Sequence, residues 1–263
     1  MFGVVPRVLW SQQHEPDDQG RILLALRSLL IQSDELCIVV DTGVGDLWSQ
    51  KESSRFGINL ERQRLLEALA EKGVSPEDVT DVILTHLHMD HAGGVARRGA
   101  SGKIELTFPN ATHHLQRKNL ENASNPSPRE RASYPERCFE PLMESGQLNL
   151  LEHSGSLFPG IELLLSDGHT SGQQLVLIRG GDEDPLSGLL YCADLIPTHS
   201  HVPLLWHMAY DMNPSLLLEE KALITEQAEI SGWALFYEHD PRQAASMVEK
   251  TGGGYKAGAA VEL

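Results

Sequence analysis

Short apolar runs separated by turn residues recur along the chain and predict β-strands. They lie at 22–26 with 29–31, 36–40, 79–84, 104–108, 148–151, 161–165, 175–178, 189–192 and 233–237. Residues 32–35 predict a turn between the first two strands, and residues 41–46 predict a loop. The strand at 79–84 is apolar at its end and leads directly into the segment 85–91, which contains three histidines and an aspartate.

Helical spacing of apolar residues appears in fewer places. It predicts a helix between Leu60 and Lys72 that ends at Gly73, followed by a short helical turn at residues 75–78. Pro214 suits the first position of a helix that runs to about residue 230, with Asn213 as its cap.

Three further segments complete the pattern. Pro241 is expected to open a last helix, and the glycine run at 252–254 is expected to be frayed. The polar segment Asn119–Arg137 contains three prolines and predicts a loop or lid. Helices recur between short strands without a break in composition, so we expect one α/β domain over residues 1–263 with its sheets covered by helices.

Composition restricts the partners. The formal charge is −16 over 263 residues, which disfavours nucleic acid, and three scattered cysteines fit a reducing compartment. The first residues lack the pattern of a secretory signal, and no apolar stretch approaches the roughly 20 residues that cross a bilayer. We therefore expect a cytoplasmic protein that binds a small-molecule substrate without nucleic acid or membrane, and a homodimer is compatible with the sequence.

The positions of the 12 histidines change this picture. His86, His88, Asp90 and His91 offer four metal ligands within six residues, directly after a predicted strand. Alternate side chains of an extended segment share a face, so His86 and His88 are able to grip one ion. A turn beyond them directs Asp90 and His91 toward a second ion. Imidazole ligands suit Zn, Fe, Mn, Co or Ni.

Three more candidate ligands follow apolar strands singly. They are His169, Asp194 and His239. Because ligands at strand ends meet at one edge of an α/β sheet, we expect these side chains to join the first cluster.

The set His86-x-His88-x-Asp90-His91, then His169, Asp194 and His239, resembles the metallo-β-lactamase superfamily in order and approximate spacing over residues 40 to 240. The resemblance implies an αββα sandwich of two mixed sheets flanked by helices. It also implies a first metal site of His86, His88 and His169, a second of Asp90, His91 and His239, and Asp194 as the bridge between them. Asp41 matches a carboxylate that orients a ligand histidine.

Such a set implies two divalent metal ions, with Zn favoured and Fe, Mn, Co or Ni open. Two cations roughly 3.5–4 Å apart lower the pKa of a shared water toward ~7 and polarise a carbonyl or phosphoryl centre. Asp90 is then a candidate to hold or move a proton.

Further stretches resemble the branch with quorum-quenching N-acyl homoserine lactonases and methyl parathion hydrolases. They are residues 2–6, 40–46, 193–198 and 201–211. The branch implies hydrolysis of a lactone, ester or phosphotriester, with the lactone favoured. Lactonases of this kind carry a Tyr where this chain has Pro197; Tyr210 is a candidate to fill that space, the alternative being a core or rim aromatic. Relatives commonly begin with a strand before residue 2, and its absence would expose a sheet edge.

Other activities remain open at this point. An iron-dependent oxygenase or redox enzyme and a thioesterase use the same fold, and a ligand-binding regulator is a third alternative. Antibiotic hydrolysis is disfavoured, because such enzymes usually carry Cys in place of Asp194.

Overall fold

The computed structural model describes residues 1–62, 64–181, 184 and 186–263. Its α-helices are α1 (Arg7–Trp10), α2 (Gln50–Phe56), α3 (Leu65–Glu71), α4 (Arg117–Ser124), α5 (Glu140–Ser145) and α6 (Pro214–Ser231). Its strands are β1 (Leu29–Gln32), β2 (Cys37–Val40), β3 (Asp81–Ile83), β4 (Ala96–Arg98), β5 (Ile104–Leu106), β6 (Thr112–Gln116), β7 (Leu148–Leu151), β8 (Gly155–Phe158), β9 (Ile161–Ser166), β10 (Gln173–Arg179), β11 (Gly188–Tyr191), β12 (Trp233–Phe236), β13 (Ala245–Thr251) and β14 (Gly254–Val261). Single 3-10 turns lie at Leu60–Arg62, Pro76–Asp78, Arg131–Ser133, Glu136–Cys138, Ala193–Leu195 and His199–His201.

The chain divides into two compact units. Residues Ser28–Glu152 form one, called the 28–152 unit, and residues His153–Leu263 together with Met1–Arg27 form the other, called the 153–263 unit. Each has its own sheet with flanking helices, which confirms the predicted α/β class.

The 28–152 unit is built on a five-stranded sheet in the order β1-β2-β3-β6-β7. β1 pairs antiparallel with β2, and the other pairs are parallel. Strands of a parallel sheet are covered on both faces and read as apolar runs. Val39, Val82, Leu84 and Leu115 accordingly lie in one buried core. β3 ends at Ile83, so its carboxyl end delivers the chain straight to His86.

The 153–263 unit has a seven-stranded sheet in the order β14-β13-β12-β11-β10-β9-β8. β11 and β12 are parallel, and the other neighbours are antiparallel. Parallel neighbours need a crossover connection, which α6 supplies. β9 and β11 both run antiparallel to β10, so the carboxyl ends of β9, β11 and β12 lie at the same edge of this sheet.

Several predicted elements appear with small shifts in their ends, and 148–151 matches β7. Residues 22–26 form no strand: the two backbone hydrogen bonds of this region, from Ala25 N–H to His239 O and from Arg27 N–H to Glu238 O, do not follow the register of a regular ladder. The helix predicted from Leu60 begins at Leu65, after a separate 3-10 turn.

Two larger predictions were wrong. The segment Asn119–Arg137 is not a loop throughout, since α4 covers it as far as Ser124; its prolines begin only at Pro126, beyond the helix. No helix follows Pro241: the chain forms the β13–β14 hairpin, and the glycine run supplies its turn, with Gly254 at φ +135°. Residues 245–251 read Ala-Ser-Met-Val-Glu-Lys-Thr, which carries no sustained alternation, so pairing with β12 and β14 decides that they form a strand.

Candidate metal-binding site

The segment after β3 gathers three imidazoles within the 28–152 unit. The ring centroid of His86 lies 4.5 Å from that of His88 and 4.0 Å from that of His91. All three side chains are buried, while the Asp90 carboxylate is one-third exposed. A tight turn produces this arrangement: the N–H groups of His91 and Ala92 donate to His88 O at 3.0 and 2.9 Å.

Asp41 lies beneath this turn and fixes it. The residue has a φ of +54°, and its Oδ1 accepts the backbone N–H of Thr85 at 2.7 Å. Oδ2 accepts the Thr85 hydroxyl at 2.7 Å and His91 Nδ1 at 2.9 Å. Because Nδ1 of His91 is taken by the carboxylate, Nε2 is the nitrogen left to bind a metal. The structure thus places Asp41 against His91, and the role of Asp41 in orienting a metal ligand stays a prediction.

The two glycines after His91 permit the close approach of this turn to the loop after β2. A Cβ on Gly94 would lie 2.3 Å from Thr42 O, and a Cβ on Gly93 would lie 2.3 Å from Val44 O. Both distances are shorter than any ordinary contact, so only glycine fits at these positions. Thr42 N–H then donates to His91 O at 2.7 Å and ties the two loops together.

The 153–263 unit gathers a second set around one carboxylate. Asp194 Oδ2 lies 3.0 Å from His169 Nε2, and Asp194 Oδ1 lies 3.1 Å from His239 Nε2. All three side chains are buried. Each follows its strand by the same interval: β9 ends at Ser166, β11 at Tyr191 and β12 at Phe236, three residues before the ligand in each case. Strand ends at one edge of the sheet therefore bring them together.

Second contacts orient both of these imidazoles. His169 Nδ1 donates to Asp211 Oδ1 at 2.8 Å, and His239 Nδ1 donates to Ala25 O at 2.9 Å. Nε2 of each ring is thus directed at Asp194. Burial lowers the pKa of His169, but Asp194 and Asp211 outweigh it and raise that pKa to about 9.

The donor chemistry of both sets suits a divalent metal ion. In the 28–152 unit, the donor atoms of His86 and His88 lie within 4.8 Å of each other, and so do the donor atoms of Asp90 and His91. In the 153–263 unit, the donor atoms of His169 and Asp194 lie within the same distance. Imidazole nitrogen with carboxylate oxygen is the donor mixture of Zn, Fe, Mn, Co and Ni sites. Cys192, in contrast, is fully buried, and burial raises the pKa of its thiol, so it is a core residue as predicted.

Tyr210 lies at the rim of the 153–263 unit. Its side chain is 48% exposed, its hydroxyl donates to Met1 Sδ at 2.9 Å, and its ring centroid is 6.2 Å from that of His169. Pro197, at the position where related lactonases carry Tyr, contributes its carbonyl, which accepts His239 N–H at 3.0 Å.

Sequence reasoning missed two residues that hold the His169 loop. Asp211 binds the ring itself, and Glu220 of α6 accepts the N–H groups of Asp167 and Gly168 at 2.8 and 3.1 Å. Asp211 is the last residue of a stretch that resembles the lactonase branch, and this resemblance was the signal for it in the sequence. Glu220 looks like any helix-surface carboxylate in the sequence.

Comparison with known proteins establishes the family. The model of the metallo-beta-lactamase superfamily matches residues 27–239, and the chain belongs to this superfamily. The histidine and aspartate positions that carried the resemblance fall within this range.

Several relatives are named lactonases. The N-acyl homoserine lactonase of Bacillus sp is 30% identical over 166 residues, which cover 60% of this chain and 59% of that protein. N-acyl homoserine lactonase AiiB of Agrobacterium fabrum is 26% identical over 259 residues, 92% of this chain and 89% of that protein. The match to the Bacillus protein thus spans under two thirds of its length.

A solved structure extends the similarity over nearly the whole chain. The crystal structure of a probable metal-dependent hydrolase from Staphylococcus aureus has a TM-score of 0.86 and 28% identity, and covers 99% of this chain and 90% of that one. Across the described residues, none of the helices combines the length and the apolar character needed to span a membrane.

Proposed function

We propose that this protein is a hydrolase dependent on divalent metal ions, and that it opens lactone rings, with N-acyl homoserine lactones as the leading substrate class. One observation carries the proposal: the two oxygens of Asp194 approach two different histidine Nε2 atoms, at 3.0 and 3.1 Å. A carboxylate placed in this way suits a bridge between two metal ions. The names of the relatives support the substrate class.

We further propose that the two units together form one catalytic domain over residues 1–263. The family model crosses both units, which supports this. In this proposal His86, His88 and His169 would hold one ion, Asp90, His91 and His239 would hold the other, and Asp194 would be the ligand that they share. Asp41 is a positioning residue for His91. Zn is the first metal to test, because a His and carboxylate set binds it well.

Bound divalent ions at such a site lower the pKa of a shared water and polarise the substrate carbonyl. The protein's own groups supply the rest. Asp90 is partly exposed, with Oδ1 4.0 Å from His91 Nε2, and is placed to accept a proton and release it to solvent. The Tyr210 hydroxyl is the candidate to donate to the substrate carbonyl or the leaving alkoxide, in place of the Tyr that Pro197 replaces.

The net charge supports a small neutral substrate. A surface at −16 repels phosphate backbones and other polyanions, whereas an uncharged lactone approaches without penalty. Lactone opening also produces a carboxylate, which the same charge helps to release. Neutral esters and phosphotriesters approach the acidic surface equally well, so they belong in the same test.

The experiment is a substrate panel on the zinc-loaded protein, with initial rates of proton release as the readout. The panel contains N-acyl homoserine lactones, δ-lactones, aryl esters and a phosphotriester, and His88→Ala is the blank. We expect lactones to turn over well above the blank. Turnover of aryl ester or phosphotriester alone would contradict the lactone assignment. No turnover of any substrate would contradict the hydrolase proposal and favour an iron-dependent enzyme, which iron content and oxygen uptake would test.

A further inference from the structure

Lys221 is a fully buried lysine in the third turn of α6. Its Nζ donates to His201 O at 3.0 Å, Pro203 O at 3.1 Å and Trp206 O at 2.6 Å. An ammonium group has three N–H donors, so three carbonyls match it fully. Lysine is among the residues least often buried, and this one binds only backbone in the contacts described. It therefore fixes the course of the chain from 201 to 206.

That chain segment leads directly to the partner of His169. Met208 N–H donates to Asp211 Oδ2 at 2.7 Å, and Asp211 N–H donates to Met208 O at 3.2 Å, which forms a closed turn. Asp211 Oδ1 in turn accepts His169 Nδ1. A shift of the 201–206 segment therefore moves the carboxylate that orients His169.

We propose that Lys221 is a positioning residue whose ammonium group holds the 201–206 segment, and through it Asp211, in the place that aims His169 at its ligand position. This inference rests on the proposed metal site, and concerns a residue that touches neither substrate nor metal. It also makes the alignment of His169 depend on the protonation of Lys221.

The burial of Lys221 supports this dependence. Burial lowers its pKa to about 7, while the charge of Asp211 acts to raise it. Above that pH a neutral amine has two N–H groups for three carbonyls, so one contact is lost. His201, beside Nζ, stays neutral, because burial lowers its own pKa well below the usual value. The other ionisable groups on the elements packed against α6 are Asp194 in the turn Ala193–Leu195, and Glu249 and Lys250 in β13. The segment that Nζ binds is flanked by His199 and His207.

The lowered pKa of Lys221 determines how its contribution to the free energy of unfolding changes with pH. The pKa of Lys221 is lower in the folded state than in the unfolded state, so the unfolded chain binds more protons between pH 7 and the ordinary lysine pKa of about 10.4. The contribution of Lys221 to the free energy of unfolding therefore rises with pH over this window, while the 201–206 segment loosens. A local probe is needed to separate the two effects.

Trp206 supplies that probe, because its carbonyl binds Lys221 and its ring lies edge-on to Phe2 with centroids 5.9 Å apart. The experiment follows tryptophan fluorescence of the metal-free protein from pH 5.5 to 9.5, with Trp206→Phe used to isolate the Trp206 signal. We expect a transition near pH 7 in the parent protein and none in Lys221→Met. The control Lys250→Met, an exposed lysine in β13, is expected to keep the transition. A transition that persists unchanged in Lys221→Met would overturn the proposal.

Zinc affinity at pH 6.5 provides the second readout, by competition with a chromophoric chelator. Residues that support ligand histidines typically change metal affinity by 10–100-fold. We expect Lys221→Met to weaken binding by about tenfold, at the low end because it acts through Asp211. Lys221→Arg keeps the charge and tests rescue if Lys221→Met does not fold. Unchanged zinc affinity in a folded Lys221→Met would also overturn the proposal. If the pH transition and the zinc affinity both depend on Lys221 as expected but the protein does not hydrolyse lactones, only the proposed function is contradicted.

Discussion

At the scale of single residues, the candidate site depends on carboxylates that orient histidines. Asp41 binds His91 through Nδ1, and Asp211 binds His169 in the same way. Each contact occupies Nδ1 of its ring and so directs Nε2 toward the other candidate ligands. The geometry of the site therefore depends on the candidate ligands and also on the buried carboxylates that hold their rings in place.

Replacing Asp41 tests this point. In Asp41→Asn an amide N–H₂ faces either His91 Nδ1 or the Thr85 donors, so a contact turns repulsive. We expect zinc affinity to fall 10–100-fold, measured by competition with a chromophoric chelator. Asp46→Asn is the matched control, because Asp46 is exposed in the same loop. Equal affinities in the two variants would contradict an orienting role.

Tyr210 is tested by removing only its hydroxyl. If this group donates to the reacting oxygen, Tyr210→Phe should lower kcat by about 10²–10³-fold with little change in KM. The fold should be unaffected, because the side chain is half exposed. Tyr255→Phe in β14 serves as control. A kcat equal to that of the parent protein would assign Tyr210 to the rim alone.

At the scale of elements, α6 is the support for the second ligand set. Glu220 holds the backbone of residues 167 and 168, and the next residue, Lys221, holds the segment 201–206. Gly168 approaches the helix so closely that a Cβ would lie 2.4 Å from Leu217 Cα. The crossover helix thus fixes both segments that meet at His169.

Glu220→Ala should loosen the loop before His169. The variant leaves two backbone N–H groups and the Ser166 hydroxyl without the acceptor they use, which costs about 1–3 kcal/mol of unfolding free energy. Urea denaturation of the metal-free protein measures this loss. Glu219→Ala changes the same charge at the neighbouring exposed position and should cost under about 0.5 kcal/mol. Similar losses in both variants would mean that general helix electrostatics, rather than this contact, is responsible.

At the scale of the whole molecule, the chain carries a large net negative charge and also buries carboxylates among its candidate ligands. Bringing His169, Asp194 and His239 into one buried cluster places a carboxylate away from water, and two metal ions would offset part of the charge of −16. Metal binding to the folded state alone stabilises it by mass action.

Removal of metal should therefore lower the thermal stability. At free zinc of 100 times Kd the folded state gains about 2.7 kcal/mol, so a chelator should lower Tm by several degrees in calorimetry. The change should reverse when zinc is restored. His88→Ala should show a smaller response to the chelator, and a Tm insensitive to both zinc and chelator would argue against a tightly held metal.

The ligand motifs were predictable because each is local. The four residues of the 86–91 segment share one turn, and each single ligand follows its strand by three residues. The strand ends then bring these single residues together, because they lie at a common edge of the sheet. The C-terminal hairpin was not predictable in the same way. Pro241 is typical of a helix start and the three glycines are typical of a frayed tail, and only the pairing of β13 with β12 and β14 decides that a hairpin forms.

The sequence by itself determined the α/β class, the superfamily, the candidate ligand residues and the net negative charge, since these follow from short-range pattern and residue chemistry. The tertiary structure decided which ordinary-looking residues support the ligands. Glu220 and Lys221 are adjacent helix residues in sequence, and their separate partners lie 52 to 54 and 15 to 20 positions away. Contacts of that range are fixed only when the sheet and its crossover helix pack, because no local pattern records them.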